Sequence, residues 1–402
     1  MEPWLQVGMI MSETQPSRNM ITPAVVLAQA ATTPMTSITS YLLIEIGLAF
    51  QQPLGVTSQI RTTQSIIAII FSLLMGAISI KFKHKTLLLS GILLIAISAV
   101  GCWSTPSFSF LLLVFPLAGI GTAMVQPMTN SLVAEHLPME KRSGAIGWMM
   151  TGMASMMVLG GFIINYLNGI GGWRMAFIGY AVPVALIATV FVYIWIPRSK
   201  EDTTTTQGGE GSLPGYKRVY SNRSALSCLM GMAISQTTWQ AILLFWASFY
   251  RQQFNIAVGT LAFLSIGTTM CFIGGNLFTG KYANLLGRKR LAITSLLLSG
   301  IFMVPIFTSS NFLWSYVFLL LFVVVSGVRA TSTQSHTMEQ MPMVRGALMS
   351  CMSAATSLGV TLGASLGGYI LLGFGFVEFG YVFGAGNLIG ALVFAFLTSE
   401  QS

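Results

Sequence analysis

Twelve long apolar runs constrain the fold of this 402-residue chain more than any other feature of its sequence. An α-helix needs about 20 mostly apolar residues to cross the hydrocarbon core of a bilayer, and each run reaches about that length. Only 8% of the residues are charged, whereas a soluble domain carries about 25%. Because a helix satisfies its own backbone hydrogen bonds in lipid, we predict an all-α membrane protein with twelve transmembrane helices.

We number the predicted spans 1 to 12 in chain order. They cover residues 21–47, 57–80, 86–104, 108–134, 143–167 and 173–196, and then 225–250, 257–280, 288–308, 312–337, 346–372 and 377–398. Between the two sets, the segment 197–224 is rich in Gly, Ser and Thr, which is typical of a flexible linker. The predicted organisation is an N-terminal tail (1–20), two six-helix bundles (21–196 and 225–398) joined by this linker, and a C-terminal tail (399–402).

The basic residues are distributed unequally between the two sides of the predicted membrane. If both termini face the cytoplasm, all of the 20 lysines and arginines lie on the cytoplasmic side except Arg61, Arg174, Arg251 and Arg329. Cytoplasmic loops of membrane proteins carry such an excess of Lys and Arg. The net charge of +9 therefore indicates topology and no nucleic-acid partner. We predict a multi-pass protein of the plasma membrane, embedded in the lipid bilayer, with both termini in the cytoplasm.

The two halves repeat with an offset of about 204 residues, so that Gly76 aligns with Gly280 and Glu135 with Glu339. Each half has an even number of predicted spans, so both halves share one orientation in the membrane. Such parallel repeats occur in secondary transporters, where the substrate site lies near the midplane between the halves. Access to that site alternates as one half rocks against the other.

The loops that follow spans 2 and 8 carry related basic motifs. With the twelve spans and the repeat, these motifs resemble the major facilitator superfamily, whose loop reads Gly-x-x-x-Asp-x-x-Gly-Arg-Lys/Arg. Ile80 and Asn284 stand where that family has its aspartate. The resemblance implies a gating role for the basic and glycine positions of both loops, and charges that only set topology are the alternative. The gating candidates are Gly76, Lys81, Lys85, Gly280, Gly287, Arg288 and Arg290.

Span 5 and the "GIGGWRMAF" segment after it are loosely similar to the drug:proton antiporter branch of that superfamily. Span 5 also holds five methionines, whose flexible thioethers suit a surface that repacks around several ligands. Contact with lipid explains the methionines equally well. They are Met149, Met150, Met153, Met156 and Met157.

Uncharged polar side chains concentrate on spans 1, 4, 7 and 10, which the resemblance implies line a central cavity. They suit a hydrated binding site, although hydrogen bonding between helices is the alternative. Trp239 lies far from the predicted interfaces, where it either stacks on a substrate or packs in the core. With Arg329, the candidate substrate-binding residues are Gln29, Thr33, Gln126, Asn130, Gln236, Trp239, Gln240, Thr333 and Gln334.

Two arginines lie inside predicted spans, and each raises the question of its partner. Arg329 in span 10 has three open interpretations. A substrate anion neutralises it, backbone carbonyls with Gln126 or Gln334 bind it, or it reaches cytoplasmic water. Arg61 begins span 2, and we expect it to pair with Glu45 at the end of span 1. The alternative role for Glu45 is to carry a proton, which makes it the ion-coupling candidate.

We expect a secondary active transporter of efflux type that moves small amphipathic organic compounds by alternating access. Uptake or exchange of a small organic anion bound by Arg329 is the first alternative, and a non-transporting receptor or scaffold is the second. We expect no enzyme, because the three histidines and the sole aspartate, Asp202, form no catalytic or metal-ligand pattern. The expected partners are a small-molecule substrate and protons or another coupling ion. We expect a monomer, with no cofactor, metal or catalytic residue.

Overall fold

The computed structural model describes residues 20–137, 139–197, 213–341 and 345–398. Within these ranges, ten helices are long and apolar enough to cross a membrane, and they correspond to spans 3 to 12. Spans 1 and 2 are also helical, but span 1 is interrupted and span 2 begins with a separate helical turn. The prediction of an all-α protein with two six-helix bundles is confirmed.

The helices of the first half are Ile21–Ala30 and Thr33–Ala49 (span 1), Leu54–Thr57 and Gln59–Lys81 (span 2), His84–Trp103 (span 3), Phe108–Val114 and Pro116–His136 (span 4), Met139–Gly171 (span 5), and Trp173–Ala176 with Val182–Trp195 (span 6). A π-helical turn, Phe177–Ala181, joins the two parts of span 6. The second half contains Arg223–Phe254, Val258–Leu286, Arg288–Thr308, Phe312–Glu339, Arg345–Gly373 and Phe376–Leu397 as spans 7 to 12.

Span 1 is interrupted near its middle, between Ala30 and Thr33. Pro34 follows directly, and proline has no N–H to donate to the preceding turn. The hydroxyl of Thr32 donates to the Gln29 carbonyl at 2.7 Å and satisfies one of the carbonyls that end the first helix. The interruption therefore lies at the depth where the sequence predicts the substrate site.

Part of the predicted linker is helical. Leu213–Ser221 forms a helix, and Val219 is fully buried in an apolar cluster with Leu229 of span 7 and Met352 of span 11. This part of the segment therefore packs on the second half, where its apolar face contacts spans 7 and 11. Residues 198–212 and the predicted tails, apart from Met20, lie outside the described residues.

The repeat between the halves is visible in matched polar contacts at the ends of the spans. His84 Nδ1 lies 3.3 Å from Glu135 Oε2, and at the equivalent position of the second half Arg288 pairs with Glu339. Next to these pairs, Lys85 donates to carbonyls at the end of span 6, and Lys289 donates to the Thr398 carbonyl after span 12. Cations at helix C-termini stabilise the unpaired carbonyls there.

The halves pack against each other through spans 1 and 7, 2 and 11, and 5 and 8. We call the side where spans 1 and 2 join the outer side, since the charge distribution predicts that it faces away from the cytoplasm. Small residues bring the helices close there. A Cβ on Gly55 would lie 2.2 Å from the Gly368 carbonyl oxygen, and one on Gly161 would lie 3.0 Å from the Ala262 Cβ. These contacts close the outer side between the halves.

Candidate functional site

Arg329 is buried between spans 10 and 7. Its side chain is 2% exposed, and Nη1 donates a hydrogen bond to the Ser235 hydroxyl at 2.8 Å. Burial to this degree rules out the interpretation in which the side chain reaches water. The predicted partners Gln126 and Gln334 are both exposed. The observed side-chain partner of Arg329 is Ser235.

Arg61 is also buried, on span 2 of the first half. It is 7% exposed, and Nη1 donates to Thr36 Oγ1 at 3.1 Å and to Gln64 Oε1 at 2.6 Å. The predicted pair between Arg61 and Glu45 is wrong. Both observed partners are neutral, so the positive charge of Arg61 has no counter-charge among the described residues.

Glu45 pairs instead with Arg251, which lies in the last turn of span 7 and not in a loop. The two side chains meet at 2.6 Å and 2.7 Å, and Arg251 Nη1 also donates to the Tyr41 carbonyl at 3.3 Å. Each side chain is 20% exposed. Because spans 1 and 7 belong to different halves, this ion pair ties the halves together on the outer side.

A small cavity of about 10 Å³ lies inward of this ion pair, between the halves. That volume has room for about one water molecule. Both halves contribute to its walls, since Thr36 and Arg61 come from spans 1 and 2 and the other lining residues come from spans 7 and 11. The lining residues are Thr36, Arg61, Gln240, Leu243, Leu244, Val360 and Ala364. Of the predicted substrate-binding residues, the structure places Gln240 at this cavity.

Several other candidates are engaged in contacts within one half. Gln29 donates to Met153 Sδ at 3.5 Å and accepts from Thr129 Oγ1 at 3.0 Å, so it joins spans 1, 5 and 4. Thr333 donates to the Arg329 carbonyl at 2.8 Å on its own helix. For Gln29 these contacts support the interpretation of hydrogen bonding between helices, whereas the Thr333 bond within its own helix favours neither interpretation.

The remaining polar candidates keep hydrogen-bonding capacity. Among the described residues, Thr33 Oγ1 and Gln236 Oε1 are buried without a partner. Gln126 and Gln334 are exposed and Asn130 is half-buried, on the inner parts of spans 4 and 10. These five residues therefore keep donors or acceptors without a partner among the described residues, and their role in substrate binding stays a prediction.

Trp239 packs within the second half. Its ring stacks on Phe272 with centroids 5.0 Å apart and on Phe322 with centroids 6.4 Å apart. Spans 8 and 10 supply these two rings, so the indole lies between them. This contact favours the core-packing interpretation of Trp239 over stacking on a substrate.

Among the described residues, no carboxylate pairs with Arg61 or Arg329. Of the 11 Asp and Glu residues, Glu45 is the one within the interior of a described span, and it is paired with Arg251. Glu135 and Glu339 form pairs at span ends, and Glu378 is exposed at the start of span 12. Buried charges are normally paired. In the described part of the chain, two buried guanidinium groups therefore face only neutral partners.

Two of the predicted gating residues make polar contacts within their own half. Lys85 and Arg288 engage spans 6 and 10 of their own bundles. Gly287 has a φ of 81°, which favours glycine at the end of span 8, whereas Gly280 borders open space and Arg290 is exposed. The surroundings of Gly76 and the Lys81 side chain lie outside the description, so a gating role for the set stays a prediction.

The described residues contain no group of His, Cys, Asp and Glu that could hold a metal ion. All four cysteines are free, and three of them are buried. The cavity between the halves is lined by the Arg61 cation, the hydrogen-bonding side chains of Thr36 and Gln240, and apolar side chains.

Comparison with known proteins supports the same architecture. The chain is 25% identical over 367 residues to a probable sugar efflux transporter of Pasteurella multocida, with 88% of this chain and 86% of that protein covered. It is also 25% identical over 313 residues to the multidrug resistance protein MdtG of Proteus mirabilis, with 75% of each covered. Among solved structures, a D-xylose-proton symporter superposes with a TM-score of 0.81 at 16% identity, covering 96% of this chain and 98% of that one.

A family model supplies the assignment. The model of the Major Facilitator Superfamily matches residues 25–275 and 228–402, which together include nearly the whole chain. The two matched stretches correspond to the two halves seen in the fold, and their overlap falls in spans 7 and 8. This multi-pass membrane protein belongs to the Major Facilitator Superfamily of transporters.

Proposed function

We propose that this protein is a secondary active transporter of the plasma membrane that exports a small organic solute by alternating access. The observation that carries the proposal is the small cavity between the halves, to which Thr36 and Arg61 of one half and Gln240 of the other contribute polar side chains. A ligand bound there contacts both halves and is therefore sensitive to their relative position. The export direction rests on the names of the related proteins, an efflux transporter and a multidrug resistance protein.

Topology and organisation belong to the same proposal. The positive-inside distribution supports placing both termini and the linker in the cytoplasm. The matched contacts of the halves support bundles at 21–196 and 225–398 that move as units of one monomer. Glu45 is the candidate for coupling to protons, because its carboxylate lies between the halves.

Transport of a small organic anion is the second candidate for the substrate class. Arg329 favours it, because a nearly fully buried guanidinium with a neutral serine partner gains more from an anionic ligand than from a neutral one. The two candidates differ in the charge of the solute that the protein prefers.

Tracer flux in proteoliposomes tests the proposal. Purified protein is reconstituted and loaded with radiolabelled solutes of three classes: neutral sugars, lipophilic cations and small carboxylates. We expect time-dependent flux of one class that saturates with concentration. Gly368→Val is the matched inactive control, because its side chain would meet Ser58 Oγ and the Gly55 carbonyl and hold the outer ends apart. If no class of solute shows flux above that of the control, a non-transporting receptor or scaffold is favoured.

A further inference from the structure

Arg61 lines the cavity between the halves and keeps one edge of its guanidinium without a protein partner among the described residues. Both of its hydrogen bonds come from Nη1, which leaves Nε and Nη2 without a protein partner among the described residues. These two nitrogens form the side of a guanidinium that binds both oxygens of a carboxylate in parallel. Arg61 itself lines the cavity, so an anionic group placed there lies next to a guanidinium that still has free donors.

The rest of the cavity wall complements a carboxylate. Gln240 supplies an amide that can donate, and Thr36 accepts from Arg61 and keeps its own hydroxyl proton to donate. Leu243, Leu244 and Val360 provide apolar walls, which exclude water and strengthen a charged hydrogen bond. In this state the cavity of about 10 Å³ has room for about one water molecule, so it suits one small polar group of a ligand and not a drug-sized molecule.

We propose that the cavity beside Arg61 binds the carboxylate end of the transported solute, through the unused edge of the guanidinium and the amide of Gln240. This inference rests on the proposed transport function and narrows its substrate class to small carboxylates. Arg329 lies farther inward, since its partner Ser235 precedes Gln240 on span 7 by a rise of about 7.5 Å. It is not part of the Arg61 site.

Because the ligand bridges the halves, it also favours their closure. The first half contributes Thr36 and Arg61, and the second contributes Gln240. A carboxylate at this place supplies the counter-charge that the described residues do not provide to Arg61. Binding energy then increases as the halves approach each other.

Thermal unfolding of the purified full-length protein tests the site by binding alone. Benzoate and acetate are titrated in sulfate buffer at constant ionic strength, with benzamide and acetamide as neutral counterparts and chloride as the inorganic anion. We expect a saturable rise in melting temperature with the carboxylates and none with the amides. In Arg61→Gln the concentration for the half-maximal rise should increase at least about tenfold, because charged hydrogen bonds are lost. Arg61→Lys keeps the charge without the paired donors. Its concentration for the half-maximal rise should lie between those of the wild type and Arg61→Gln.

Two further variants separate binding from folding. Val360→Leu adds one methylene to the cavity wall while Arg61 stays in place, and it should abolish the carboxylate response even if Arg61→Gln does not fold. Arg174→Gln removes an arginine that stacks on Trp173 away from the cavity and should keep the response of the wild type.

The inference is overturned if the carboxylates and amides shift the melting temperature equally, or if the response survives both Arg61→Gln and Val360→Leu. Stabilisation by chloride at the same concentrations as the carboxylates would also overturn it, since the edge of Arg61 would then hold a free inorganic ion. The binding result is independent of flux. Carboxylate binding without transport would refute the proposed function alone, and transport of a neutral solute without carboxylate binding would refute this inference alone.

Discussion

The Glu45–Arg251 pair should act as a latch that favours closure of the outer side. In Glu45→Gln, two charge-assisted contacts at 2.6 Å and 2.7 Å become at most one neutral hydrogen bond. Hydrogen bonds to charged groups contribute about 1.5–3 kcal/mol, whereas exposed ion pairs contribute about 0–1 kcal/mol. With both side chains 20% exposed, we place the loss between these ranges, at about 1.4 kcal/mol. That energy corresponds to about a tenfold shift towards the outward-open state.

Cysteine labelling measures this shift. Ser40 lies at the contact between the halves, where its hydroxyl donates to the Leu243 carbonyl and it is 2% exposed. In a background with the four native cysteines replaced, Ser40→Cys should react slowly with a membrane-impermeant maleimide. Addition of Glu45→Gln should raise the labelling rate about tenfold.

The control for this experiment is Glu378→Gln. It removes a carboxylate that is exposed on the same predicted side and lies outside the contact between the halves. If Ser40→Cys is labelled at the same slow rate with and without Glu45→Gln, the latch is refuted. An equal increase in the Glu378→Gln control would show that the effect comes from surface charge and not from the ion pair.

Three further predictions concern stability and packing. Gly55→Val should abolish outer closure and flux, because the Cβ of the valine would lie 2.2 Å from the Gly368 carbonyl oxygen. Circular dichroism should show that the helices remain folded. Flux at the wild-type rate would contradict this prediction. Val219 is fully buried, so Val219→Ala should lower the free energy of unfolding by about 1–2 kcal/mol, as other removals of buried methyl groups do. Denaturant unfolding in detergent measures this loss. No change would mean that the helix Leu213–Ser221 does not pack on the second half. Gln51→Gly should raise the melting temperature, because Gln51 has a φ of 53°, which costs a non-glycine residue about 1 kcal/mol; a lower melting temperature would contradict this.

Much of the fold follows from local patterns in the sequence. Apolar length predicts all twelve spans. The offset that aligns Glu135 with Glu339 agrees with the structure, where each of the two residues forms a pair within its own half. These features depend on composition and short spacing, which a single sequence contains. The helix within the segment 213–221 is different, because its stability depends on the surface of spans 7 and 11 beneath it.

The partners of charged residues were harder to predict, because they depend on contacts between distant segments. Arg61 and Glu45 are near neighbours in sequence, yet Glu45 pairs with Arg251, 206 residues away. The repeat could have predicted this pair, since it aligns Glu45 with a position close to Arg251 on the equivalent span of the other half. Equivalent spans of a parallel repeat face each other across the central axis, so charges near aligned positions are candidate pairs.

The account depends most directly on movement of the two halves against each other. Double electron–electron resonance measures it between spin labels at exposed sites, with Tyr166 and Phe374 for the outer side and Trp148 and Leu285 for the inner side. The account predicts two distances for each pair, with Glu45→Gln lengthening the outer distance and shortening the inner one. A single unchanged distance for both pairs, in the wild type and in Glu45→Gln, would contradict alternating access in this protein.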